Sequence, residues 1–250
     1  MLADTTQDLI VRWVAQRLER SPDETRRPGV WVAAHGPALA DYHGVYVWLM
    51  EQTALVSAPA GLVAAIRHTV AGQSPAALAD PTFWRAALGE QVERIIGPSY
   101  QGFLDAGALR PLSHEAMQGA RPLTHADAPA LAHFVAACPP DDWADGAIAV
   151  DHLPIYGVER DGALIALASA PADGMLRSVG VVTLPAWRGT GAGRAVVGAL
   201  TARCVEEGAS LRYQTLRANV ASVAIARTLG YVDVATALGV RLRRAQDELK

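Results

Sequence analysis

Lysine is nearly missing from this chain: Lys250 is the single one, and arginine supplies the other side-chain positive charges. Without an internal lysine, Schiff-base and PLP chemistry, a Walker-A phosphate loop and Ser-x-x-Lys hydrolysis are excluded. Cysteine is scarce too. Cys138 and Cys204 cannot build a disulfide framework or a cysteine-rich zinc site, which fits a reducing compartment. A surplus of one charge sign is lacking: the formal net charge is −3, too near neutral to suggest a nucleic-acid or anionic-membrane partner. The charge-free stretch 52–66 is interrupted by Ser57, Pro59 and Gly61 and is too short to cross a bilayer. The opening Met1-Leu2-Ala3-Asp4-Thr5-Thr6-Gln7-Asp8 lacks the basic and apolar regions expected of a signal peptide. The expectation is a cytoplasmic protein with no metal, no nucleic acid and no membrane among its partners.

What is present is core material. Apolar residues make up 51% of the 250 positions and charged residues 19%, enough for between one and two packed domains. Leu9, Ile10, Trp13, Val14 and Leu18 lie at helical spacing in 6–19. Strand-like runs follow at 30–34, 45–49 and 53–56, then helices at 59–70 and from Asp80-Pro81 to Gly89. Two further strands are expected at 94–96 and 100–104. The stretch 105–120, with Gly107, Pro111, Ser113 and Gly119, reads as a linker. The expected division is 1–118, a smaller α/β domain, and 119–250. In the second part Thr124 and Asp127 cap a helix over 128–137, and a polar loop holds Asp141, Asp142, Trp143 and Asp145. A hairpin turns at Arg160-Asp161-Gly162, followed by a strand at 176–183 and a helix at 190–207. A strand at 211–216, a helix opened by Asn219 and a final strand or hairpin at 231–242 complete an α/β or α+β order.

The informative string is Val181-Val182-Thr183-Leu184-Pro185-Ala186-Trp187-Arg188-Gly189-Thr190-Gly191-Ala192-Gly193-Arg194. An apolar strand passes a proline, enters a loop with glycine at three alternate positions and runs directly into a helix. Glycine admits positive φ and close approach, while the first helical turn presents unpaired N–H groups and the positive end of the dipole. That combination can cradle a diphosphate. The Walker-A pattern fails because Gly193 is followed by Arg194-Ala195, and the Gly-x-Gly-x-x-Gly dinucleotide fingerprint fails because position 196 is Val.

These flanks resemble the GNAT superfamily of acyl-CoA-dependent N-acyltransferases, whose signature Arg/Gln-x-x-Gly-x-Gly/Ala is matched by 188–193. A second element, from Asn219 through Ser222 and Ile225 to Leu229-Gly230-Tyr231, resembles the family's helix ending in Gly-Phe/Tyr. The resemblance covers about 120–242. It implies a mixed, mostly antiparallel central sheet flanked by helices, with acetyl-CoA as co-substrate between the strands at 176–183 and 211–216. Backbone groups of Val181, Val182 and Thr183 would hold the pantetheine arm. Those of Arg188, Gly189, Thr190, Gly191, Ala192, Gly193 and Arg194 would hold the diphosphate, and Asn219 would face the cofactor or only cap its helix. The implied activity is transfer of an acetyl group to a primary amine of a small molecule or peptide by direct attack in a ternary complex. A catalytically silent acyl-CoA sensor is the alternative, and a homodimer is compatible with either.

The chemistry needs a neutral amine, and an alkyl ammonium at pH 7 must give up about 4 kcal/mol to become one. A base, a donor for the oxyanion and an acid for the thiolate are therefore useful. Here the sequence departs from the family. The strand Leu176-Arg177-Ser178-Val179-Gly180-Val181 carries no carboxylate, and the position of the family's usual tyrosine, seven residues after Asn219, is Ala226. Substitute candidates are Tyr213 as acid and His152 in the loop before the hairpin. Asp151 and Trp143, with Asp141 and Asp142, are candidates for binding a cationic acceptor. Cys204 reads as core rather than nucleophile.

Overall fold

The protein is described by a computed structural model covering residues 1–151 and 154–244. In chain order it forms α1 (Asp4–Arg17), α2 (Pro22–Arg26), β1 (Gly29–Ala34), β2 (Gly44–Met50), β3 (Thr53–Ala58), α3 (Val63–Thr69), α4 (Pro81–Leu88) and β4 (Val92–Leu104). Next come β5 (Ala120–Pro122), α5 (Ala128–Ala137), α6 (Pro140–Gly146), β6 (Ile155–Arg160), β7 (Ala163–Ser169), β8 (Ala172–Asp173) and β9 (Leu176–Thr183). The last elements are α7 (Ala192–Glu206), β10 (Leu211–Leu216), α8 (Val220–Leu229) and β11 (Val232–Leu242). The architecture is mixed α/β, with mostly antiparallel strand pairing and flanking helices.

Two compact units emerge, and neither is a continuous segment. One comprises 1–6, 102–214 and 221–232; the other comprises 7–101, 215–220 and 233–250. The sequence suggests a division at 118/119, but the chain returns. Apolar β11 pairs antiparallel with β2, Val240 opposite Val45, so the last strand serves the core built by the first hundred residues.

In that unit β1 is parallel to β3, and β3 is antiparallel to β2. Val45, Val47, Trp84, Leu238 and Val240 are fully buried together. The Asp80 carboxylate accepts from the Thr82 N–H at 2.8 Å and caps α4, which ends at Gly89 with φ +53°. β4 is one strand, where the sequence suggests two. Gly97 leaves only 2.8 Å between a notional Cβ and the Ala237 carbonyl, and the Ser99 hydroxyl donates to that carbonyl at 3.1 Å. Contact with β11 thus continues on both sides of Pro98.

In the other unit the strands run β10-β9-β7-β6-β5, and β8 also pairs with β9. All pairs are antiparallel except β9 with β10. Alternation along β9 separates two faces. Val182 packs with Phe134 and Trp143 of α5 and α6, whereas Thr183 meets α7 at Gly193. Thr124 and Asp127 form the capping box ahead of α5. The stretch 105–119 is largely exposed but anchored to its unit rather than a free linker. Buried Asp105 accepts from the N–H groups of Ala3 and Ala108 at 2.8 and 2.9 Å, and the Arg110 N–H donates to the Leu229 carbonyl at 2.9 Å. Turn-forming residues signalled a loop correctly; they carry no information on whether its polar groups are satisfied inside.

Candidate functional site

β9 leads through a short 3-10 turn at Pro185–Trp187 into the glycine loop. Gly189 and Gly191 have φ +77° and +91°, the left-handed region that side chains disfavour, and α7 begins directly after them. The backbone N–H groups from Gly189 to Arg194 find no protein acceptor among the described residues; the first to do so is Ala195, which donates to the Gly191 carbonyl at 2.9 Å. The space before Gly189 is open, and at Gly191 a notional Cβ would meet only the Arg194 guanidinium, at 3.8 Å. Gly193 is needed for packing: a Cβ there would lie 2.8 Å from the Thr183 hydroxyl. The Thr190 hydroxyl donates to the Trp187 carbonyl at 2.7 Å and stiffens the bend. Arg188 pairs with Asp142 of α6 at 2.6 Å.

Beside this loop the sheet opens. The parallel register of β9 with β10 runs Arg177–Leu211, Ser178–Arg212, Val179–Tyr213 and ends there. Beyond it, Gly180 to Thr183 pair with β7 alone among the described residues. The edge of Val181, Val182 and Thr183 that faces away from β7 is therefore without a ladder partner, as a ligand lying along the strand requires. On the α6 face, Gly180 is overlaid by backbone: a notional Cβ would stand 2.3 and 2.6 Å from the carbonyl oxygens of Ala147 and Gly146.

The other expected residues scatter. Tyr213 is 1% exposed, meets Tyr231 edge-on at 5.4 Å between ring centres, and shares a hydrogen bond with the Ser222 hydroxyl at 2.9 Å. Burial pushes its phenol up to about 12, so it is held neutral. Trp143 belongs to a helix, not a polar loop, and its ring packs at 6.5 Å from Phe134. Asp141 is exposed, Asp142 is committed to Arg188, and Asp151 is exposed on a turn. His152 lies outside the described residues. Asn219 is exposed immediately before α8, in the 215–220 segment that belongs to the other compact unit. Ala226 is fully buried, and Cys204 is a core residue whose thiol burial pushes up to about 11.

One residue, Asp173, is not singled out by the sequence. In the structure Asp173 lies in β8, opposite Leu176 of β9. Its carboxylate accepts from the Ser178 hydroxyl at 2.8 Å and faces the Arg212 guanidinium at 3.7 Å. A carboxylate absent from β9 is thus delivered to it from the neighbouring strand.

A strand that ends in an anion-accepting bend, beside a partner strand that parts from it, defines a site for an extended phosphate-bearing ligand. Residues 121–231 match the model of the acetyltransferase (GNAT) family. Similar solved structures include an acetyltransferase of the GNAT family from Colwellia psychrerythraea, 17% identical over 64% of this chain and 61% of its own length, TM-score 0.48. A GCN5-related N-acetyltransferase from Kribbella flavida is 24% identical over 68% of both chains, TM-score 0.46. The ribosomal-protein-S18-alanine N-acetyltransferase from Escherichia coli is 17% identical over 52% of this chain and 97% of its own, TM-score 0.36. This chain therefore spans about three fifths of the Colwellia protein. No curated protein matches it. Among the described residues no helix is long and apolar enough to cross a membrane, and no cluster of His, Cys, Asp and Glu could hold a metal ion.

Proposed function

We propose that the chain transfers an acetyl group from acetyl-CoA to a primary amine by direct attack in a ternary complex. The row of unpaired N–H groups from Gly189 to Arg194 carries this reading. It fits a diphosphate because the loop offers several donors, a helix N-terminus, the Arg194 guanidinium and open space in front of Gly189. At roughly 1.5–3 kcal/mol per hydrogen bond to a charged oxygen, four such contacts would dominate the affinity for the carrier. Acetyl-CoA supplies the activated acyl group. The protein's own contribution begins with the free edge of Val181 to Thr183, which holds the arm as an added strand. The ammonium gives a proton to water before it attacks; a backbone N–H of Val182 or Thr183 stabilises the negative charge that develops on the acyl oxygen, and as the new C–N bond forms the C–S bond breaks, CoA leaving as its thiolate and the second amine proton passing to solvent.

The test separates binding from turnover. Gly191 sits at φ +91°, so Gly191→Val strains the bend and closes the approach to its N–H groups. Calorimetry should show CoA affinity reduced by about tenfold or more, equivalent to one lost charge-assisted contact, with the melting transition retained. Unchanged affinity in a folded variant removes the cradle. Thiol release from acetyl-CoA with primary amines distinguishes the enzyme from a silent carrier-binding protein, which the missing carboxylate in β9 and Ala226 would otherwise favour.

A further inference from the structure

We propose that Asp173, held by Ser178 and Arg212, is the anchor for the acceptor's ammonium group, and that the site selects acceptors that are cationic aliphatic amines. The inference rests on the acetyl-transfer reading and deepens it.

Location is the first support. The carrier's diphosphate belongs at Gly189 to Arg194 and its arm along Thr183 back to Val181, so its reactive end points toward Gly180 and Val179. There the strands close, the last register pairs being Ser178–Arg212 and Val179–Tyr213. An amine that attacks must arrive beside this closed end. Ser178, Gly180 and Val182 share one face of β9 by alternation. That face carries α6, since Val182 packs with Trp143 and the carbonyls of Gly146 and Ala147 overlie Gly180. The Asp173 carboxylate is bound to Ser178 on the same face, two residues from Gly180.

Charge is the second support. The side chain of Arg212 is 7% exposed, which for a guanidinium demands a nearby carboxylate. Asp173 supplies it while remaining 29% exposed, within reach of a solute. Its Oδ2 is held by the Ser178 hydroxyl at 2.8 Å and faces Arg212 at 3.7 Å, and Arg212 also hydrogen-bonds Gln214. A carboxylate held this way is preorganised rather than a mobile surface charge. The carbonyls of Gly146 and Ala147 accept from no N–H among the described residues and add the negative end of a helix to the same face. Ala147 adopts the left-handed conformation, φ 50° and ψ 40°, to place them there. A carboxylate and two free carbonyls beside the point of attack suit an ammonium and reject a carboxylate-bearing neighbour.

The experiment uses the full chain with acetyl-CoA and two acceptor probes, n-butylamine, cationic near pH 7, and aniline, neutral there. Asp173→Asn should raise KM for n-butylamine about tenfold, the loss of one charge-assisted contact, while KM for aniline and CoA affinity stay within about twofold. A role confined to neutralising Arg212 would instead lower stability and treat both amines alike. Should Asp173→Asn fail to fold, Ser178→Ala keeps the ion pair but frees the carboxylate, and KM for n-butylamine should rise about threefold without a change for aniline. Equal effects on the two amines, or none, overturn the proposal. Wild-type protein that binds CoA but acetylates neither amine overturns it too, leaving carrier binding intact. Wild-type protein that does not bind CoA overturns the acetyl-transfer reading itself.

Discussion

Arg188 and Asp142 illustrate how exposure decides what a residue pair does. Their side chains are 54% and 31% exposed, so the 2.6 Å ion pair contributes little to stability. It does restrain an arginine that stands immediately before the diphosphate cradle. Asp142→Asn should change the denaturant midpoint by less than about 0.5 kcal/mol in stability. Calorimetry should show CoA bound about threefold more tightly, because Arg188 is then free to turn to the anion. Weaker or equal binding would contradict that. Cys138 nearby offers no competing chemistry, since burial and the Asp142 charge push its thiol up. At this scale the glycine loop was fully legible, because φ preference and helix-end donors depend only on neighbouring residues. Asp173 was not legible, because its partners Ser178 and Arg212 lie on other strands.

The pairing of α6 with β9 is decided by the absence of two side chains. A Cβ on Gly146 would lie 1.9 Å from Val182 Cγ2, and one on Gly180 would lie 2.3 Å from the Ala147 carbonyl. The obstacle at Gly180 is backbone, which cannot swing aside. Gly180→Ala should cost about 1–3 kcal/mol in a denaturant titration, as overpacking does. Gly61→Ala, where nothing lies within 4 Å, serves as the neutral control. The sequence suggests a polar loop where α6 forms, because three aspartates outweigh one tryptophan in an apolar pattern. Proline in the first turn with Asp141 and Asp142 behind it is nevertheless a helix-start signal, and it holds here. Loop signals were right at 105–119 in conformation yet silent about its anchoring through Asp105 and Arg110, which depends on what the loop meets.

Across the molecule, acids raised by burial set the response to alkali, the Tyr42 phenol at about 12 among them. The Tyr213 phenol is raised from 10.0 to about 12 and the Cys204 thiol from 9.0 to about 11, both by burial. Each neutral form is favoured in the fold, so the unfolded chain releases these protons first. Their stabilisation is complete below the ordinary values and is lost as pH rises through the folded ones. The urea midpoint should hold up to about pH 9, the ordinary thiol value, and fall between there and pH 12. Tyr213→Phe should flatten the upper part of that decline. A midpoint flat to pH 12 would show that both groups ionise in place. The division of the chain belongs to this scale as well. A boundary near 118 follows from composition, but β11 pairs with β2 because their registered apolar faces complete one core.

By itself the sequence determined whatever a few adjacent residues can decide: the capped helices, the hairpin at Arg160-Asp161-Gly162, and the glycine bend with its unpaired donors. Only the tertiary structure decided which distant segments meet. The return of β11 to the first hundred residues, the seating of α6 on Gly180 and the delivery of Asp173 to Ser178 and Arg212 are such meetings. The reason is physical. Local conformation follows from sterics and hydrogen bonds between near neighbours, whereas long-range pairing is settled by competition for burial among all the apolar faces at once.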